Sequence, residues 1–110
     1  MIEVKITYTE TKKTGRYIYK DIIVKGHSSD GTINSIKCCA GVTAVTCGLL
    51  NLVDDVTSKI EVNKGLFHFH MIRYDAEVNY AMNALVYQLD SIQMTYPSYF
   101  KSFEFIEEKN

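Results

Sequence analysis

A chain of 110 residues has the size of one domain and can bury one core. Its 46 % apolar and 23 % charged residues suit a globular domain rather than a disordered segment, and a net charge of −1 excludes a broad, salt-driven grip on nucleic acid. No apolar run is long enough to span a bilayer.

The first element is a strand. Ile2, Val4, Ile6 and Tyr8 alternate with Glu3, Lys5 and Thr7, which predicts a half-buried segment of period two. Thr11 to Gly15 is polar, ends in Gly and reads as a hairpin turn. Arg16 to Lys25, with Tyr17, Tyr19, Ile22, Ile23 and Val24, reads as a second strand paired with the first. Gly26 to Ser35 is a loop by composition.

A helix follows, capped by Asn34 or Ser35. Its apolar stripe runs through Cys39, Val42, Val45, Leu49, Leu52, Val53 and Val56. Cys47 falls within this stripe and is expected in the core. Gly41 weakens the helix intrinsically, so a steric reason is expected for it. Lys59 to Val62 and Leu66 to Ile72 predict a hairpin turning at Asn63-Lys64-Gly65. A second helix runs from about Asp75 to Thr95, with Val78, Ala81, Met82, Leu85, Leu89 and Ile92 at steps of three and four, and Pro97 ends it. Tyr99 to Ile106 is a last strand, and the tail Glu107 to Asn110 is expected to fray. The order ββαββαβ predicts an α+β fold: a mainly antiparallel sheet with two long helices, forming a single domain over residues 1–110.

Three cysteines, Cys38, Cys39 and Cys47, lie within ten positions, a poor disulfide framework. The chain starts directly with alternating residues rather than a leader, so reduced thiols and a cytoplasmic location are expected.

One place joins a loop, a titratable base and a nucleophile. His27 ends the second strand, and Cys39 is expected near the start of the first helix. A helix N-terminus and a neighbouring imidazolium both favour a thiolate, the reactive form of cysteine. The N–H groups that a helix end leaves unpaired can hold an oxyanion. By spacing alone the bland reading competes: a small residue packing at a helix start, and a solvated loop histidine. His68 and His70 share one face of a predicted strand. With no third ligand placed by the sequence they read as solvent-facing, opposite buried Phe67 and Phe69, and no metal or cofactor is expected. Tyr99, Phe100, Phe103 and Phe105 suit either an interface or a strand packed on the core.

Read together, Val24-Lys25-Gly26-His27 and, after the loop, Cys39-Ala40-Gly41-Val42-Thr43-Ala44-Val45 resemble the signature of the ribosomal-processing cysteine protease family, Prp. That family shows a Gly-His pair and then a Cys-Ala-Ala-Val-Ser-Ala-Leu type segment at this separation. Gly48 to Val53, and Ala84-Leu85-Val86 through Tyr96-Pro97-Ser98-Tyr99, extend the similarity over nearly the whole chain. The resemblance implies a cysteine endopeptidase that removes the N-terminal extension of a large-subunit ribosomal protein, number twenty-seven, during ribosome maturation. His27 and Cys39 take the catalytic positions, and Thr43 takes that of the family's Ser. Thr43, Ser35 and Asp30 are expected to meet the substrate. The implied partners are the ribosomal protein tail and a second copy in a homodimer, with no direct nucleic acid and no membrane. The family's Asp, three positions before the Cys, is here Ile36, preceded by Ser35, and the loop lacks the family's aromatic Gly-Tyr pattern. Asp30 and Asn34 are candidates for a third polar group that sets the His tautomer. Placing Cys38 at the catalytic position instead would shift Ala40, Val42, Thr43 and Ala44 out of register, so Cys39 is favoured and Cys38 is expected in an apolar setting. The alternative is a catalytically inactive relative that binds the ribosomal protein and cuts nothing.

Overall fold

The computed structural model describes residues 1–11, 15–27, 30–48 and 56–109. Strands β1 (Ile2–Glu10) and β2 (Tyr17–Lys25) form the expected hairpin; α1 (Ile33–Cys47), β3 (Ser58–Asn63), β4 (Leu66–Met71), α2 (Ala76–Thr95) and β5 (Phe100–Glu107) follow. The five strands make one sheet in the order β3-β4-β2-β1-β5. β1 and β5 run parallel, and the other neighbours are antiparallel. The α+β fold and the ββαββαβ order are as the sequence predicts.

Alternation places Ile2, Val4 and Ile6 of β1, Ile22 and Val24 of β2, and Phe67, Phe69 and Met71 of β4 in a single core with Val78, Met82, Leu85 and Leu89 of α2. Cys38 and Val42 of α1 join the same core, so both helices cover one face of the sheet. Burying such side chains stabilises the fold by about 1.5–3 kcal/mol each. Gly41 has the steric reason expected of it: a Cβ there would lie 3.3 Å from Ile92 Cδ1, at the contact between the helices. In the hairpin the register shifts after Thr7, which faces Asp21, to Tyr8, which faces Tyr19. Lys20 is the extra residue of a bulge, and beyond it β2 no longer pairs with β4. Asn79 of α2 serves that stretch instead. It accepts from the Tyr19 N–H at 3.0 Å and donates to the Tyr17 carbonyl at 3.0 Å.

Several expectations change. The first helix is capped by Thr32, not Asn34 or Ser35, because the Thr32 hydroxyl accepts from the Ser35 N–H at 3.2 Å. Its buried positions are Ser35, Cys38, Val42 and Thr46; of the predicted stripe Val42 is buried and Val45 packs against the core, while Cys39 is half-buried and lines a cleft. Two of these carry hydroxyls that bond carbonyls of their own helix: Ser35 Oγ donates to the Thr32 carbonyl, and Thr46 Oγ1 donates to the Val42 carbonyl. Internal bonding lets polar residues be buried, so hydrophobicity alone did not point to Ser35 and Thr46. Cys47 is exposed rather than in the core. Val56 is exposed in the turn before β3, while Leu49, Leu52 and Val53 lie outside the described residues. The tail is tied down as far as Glu108, whose N–H donates to the Tyr8 carbonyl at 2.7 Å. Phe100 is buried and Phe103 packs against the core, as a core-facing strand requires.

Candidate active site

His27 follows Gly26, the residue at which the chain leaves β2. Gly26 has φ +96, a conformation that favours glycine, and a side chain there would collide with the Met1 carbonyl oxygen. Its N–H donates to the Gly65 carbonyl at 2.9 Å, which ties the end of β2 to the β3–β4 turn. Cys39 is the seventh residue of α1.

His27 and Cys39 line one cleft of about 190 Å³ between α1 and the β3–β4 turn, together with Thr43, Cys47, Asn63 and Gly65. Ile2, Val24, Val42, Leu66 and Phe67 give it an apolar floor. This combination of an apolar lining with a few convergent polar groups is usual for a ligand cleft. A larger groove of about 460 Å³ beside Arg16, Tyr17, Tyr87 and Phe105 brings no thiol to an imidazole.

The adjacent cysteines separate cleanly. Cys38 is fully buried in the core, at 0 % exposure, while Cys39 is half-buried and faces the cleft. All three cysteines remain thiols. Cys39 lies beyond the first turn, whereas the unpaired N–H groups and most of the dipole effect belong to the first turn. The activation and oxyanion hole expected from the helix end therefore do not extend to Cys39.

Thr43 sits one turn beyond Cys39 and lines the cleft. The structure does not bring Ser35 or Asp30 there. Ser35 is 1 % exposed, with its hydroxyl donating to the Thr32 carbonyl at 3.0 Å. Asp30 is exposed and organises the entrance to α1. Its Oδ1 accepts from the Thr32 hydroxyl at 2.6 Å and from the Thr32 N–H at 2.9 Å. With its proton directed to Asp30, that hydroxyl accepts from the Tyr99 hydroxyl at 3.0 Å. The Thr32 side chain and N–H, then Ser35 and Tyr99, hold the Asp30 carboxyl down at about 2. Asn34, the other candidate for a third group, lies in the first turn of α1 and not in the lining. Ile36 occupies the family's Asp position in the first turn, 63 % exposed.

Sequence reasoning missed Cys47, Asn63 and Gly65 as cleft residues. Cys47 could have been found, because residues 39, 43 and 47 follow one helical face at steps of four. Asn63 and Gly65 could not, because nothing local says that their turn meets residue 27.

Across the sheet, His68 and His70 lie on the face opposite buried Phe67 and Phe69, as expected. The sequence did not reveal Asp21 between them. His68 Nε2 and His70 Nδ1 both contact its Oδ1, at 2.9 and 3.0 Å. Partial burial raises the Asp21 carboxyl, but hydrogen bonds from the two histidines outweigh this and leave it below its ordinary value. Among the described residues no group of three or more His, Cys, Asp or Glu is arranged to hold a metal ion, and no helix is long and apolar enough to cross a membrane.

Comparison with known proteins decides the family: the family model of the cysteine protease Prp matches residues 1–101. The chain belongs to the Prp family of ribosomal-processing cysteine proteases. The essential ribosomal processing protease Prp from S. aureus, in complex with a covalently linked product peptide, has a similar fold. The match has a TM-score of 0.73 and 24% identity, covering 98% of this chain and 100% of that one. The same protease with a substrate peptide gives a TM-score of 0.67 at 21% identity, covering 98% and 100%. SMU.848 from Streptococcus mutans gives 0.70 at 15% identity, covering 98% and 96%. These likenesses speak to the Prp fold. No curated protein matches significantly.

Proposed function

We propose that this protein is a cysteine endopeptidase that removes the N-terminal extension of large-subunit ribosomal protein number twenty-seven, with Cys39 as nucleophile and His27 as base. The observation that carries the reading is the shared cleft: a half-buried thiol from a helix and an imidazole from a strand end, twelve positions apart in sequence, line one space. The S. aureus relative with a covalently linked product peptide supports acyl transfer as the chemistry.

His27 takes the proton of Cys39, and the sulfur attacks the scissile carbonyl carbon. His27 then returns the proton to the leaving amine, whose C–N bond breaks to leave a thioester on Cys39. Water, deprotonated by the same imidazole, hydrolyses the thioester and restores the thiol. Thr43 is the substrate-facing hydroxyl. The machinery forms one domain over residues 1–110, acts in the cytoplasm as a homodimer, and needs neither cofactor, metal, membrane nor direct contact with nucleic acid.

Cys39→Ala is expected to abolish cleavage of the extended ribosomal protein, a loss on the order of 10⁴-fold or more. Cleavage at the wild-type rate by this variant would sink the assignment. A second reading, a binding module that cuts nothing, draws on Ile36 standing where the family has Asp. Under that reading iodoacetamide labels Cys39 equally fast with or without the His27 imidazole; under the protease reading removing the imidazole slows labelling.

A further inference from the structure

We infer that Gly65 is a positioning residue for His27, fixing where the imidazole stands by offering it a surface with no side chain. The inference rests on reading His27 as the base of Cys39. The ring lies where a Cβ on Gly65 would project. That Cβ would fall 2.7 Å from His27 Nε2, 3.3 Å from Cε1 and 3.5 Å from Cδ2. Real Cβ atoms essentially never come as close as 2.7 Å, so any larger residue must displace the ring tip.

The backbone locks this contact in place. The Gly26 N–H donates to the Gly65 carbonyl at 2.9 Å, next to the Lys25–Leu66 pair that ends the β2–β4 ladder. The backbone before His27 and the turn are thus held by adjacent links of one ladder, so a side chain on Gly65 is accommodated by rotating the imidazole away rather than by moving the strand. Gly65 also has φ +76, so two demands fall on one residue: a left-handed backbone and an empty side. Asn tolerates the first but not the second. Gly15 separates them, because it has φ +65 and a Cβ there would meet nothing within 4 Å.

The test compares Gly65→Asn with Gly15→Asn and His27→Ala. The first measurement is the rate of Cys39 alkylation by iodoacetamide against pH. G65N is expected to reproduce the H27A profile, with the His27-dependent part of the rate lost, while G15N keeps the wild-type profile. A misplaced base by about 1 Å costs on the order of 100-fold in turnover, so peptide cleavage by G65N falls through kcat with KM little changed. The second measurement is a double-mutant cycle in thermal stability. Removing the ring removes the collision, so H27A/G65N is more stable than G65N even if G65N alone does not fold. G65N with the wild-type alkylation profile, or a double variant no more stable than G65N, overturns the inference. If H27A leaves Cys39 alkylation unchanged, the protease reading fails instead, and the stability cycle alone decides for or against Gly65.

Discussion

Two histidine neighbourhoods lie along the same pair of strands and are held in opposite ways. Towards one end of the β2–β4 ladder, His68 and His70 are pinned by the Asp21 carboxylate on the open face of the sheet. At the other end, His27 leaves β2 over bare glycine, beside a cleft that also receives Cys39. The first arrangement satisfies the rings: Asp21 fixes Nε2–H on His68 and Nδ1–H on His70, and directs both inward along the sheet surface. The second places a ring and a thiol on one cleft. The two differ in what restrains the ring: a carboxylate holds His68 and His70, whereas bare backbone at Gly65 lies against the tip of His27.

The sharpest way to break this comparison is to delete each ring in turn. His27→Ala is expected to slow cleavage by about 10²–10⁴-fold, the usual worth of a general base. His68→Ala is expected to leave cleavage intact and to cost at most about 1 kcal/mol, measured by denaturant unfolding. Equal losses of activity from both would erase the distinction. Cys38→Ala separates the two thiols in the same manner. It removes a fully buried sulfur, so stability falls by roughly 1 kcal/mol, while Cys39 alkylation keeps its rate.

Smaller effects come from the carboxylates. Asp21 is held below its ordinary value in the folded state, so its contribution is present above about pH 4 and is lost as pH falls through the lower folded value. Asp21→Asn is expected to cost about 0.5 kcal/mol at neutral pH, with the gap to wild type closing on acidification. Asp30, held down at about 2 at the mouth of α1, follows the same sign. Asp30→Asn lowers the melting temperature slightly at pH 7, and the deficit fades between about pH 4 and pH 2. A deficit that grows on acidification would contradict the Thr32 hydrogen bonds as its cause.

The strands and both helices, in their order along the chain, were legible because their patterns are local. Alternation in Ile2, Val4 and Ile6 and the three-four steps from Val78 to Leu89 need no knowledge of the partner surface. The face of α1 was read correctly at Val42 and Val45 but missed at Ser35 and Thr46, which are buried with their hydroxyls bonded to carbonyls of Thr32 and Val42, a feature that a hydrophobicity pattern cannot register. The cap was misread because Thr32, Asn34 and Ser35 are all competent caps, and the network of Asp30 and Tyr99 favours Thr32. For the candidate site, the Gly26-His27 and Cys39-Ala40 segments carried the pair. The third side of the cleft, Asn63 and Gly65, depends on a long-range pairing of β2 with β4 that no local signal encodes.

The contact of Gly26 with the Met1 carbonyl has a practical consequence for handling this protein. Ile2 lines the cleft and pairs with Phe100 at the start of β5, so polypeptide joined ahead of Met1 emerges at the cleft mouth. Chain added after Glu108 departs from the far end of the sheet, next to Tyr8. An affinity tag at the front therefore lies beside the cleft that His27 and Cys39 line, whereas one at the back lies at the opposite end of β1.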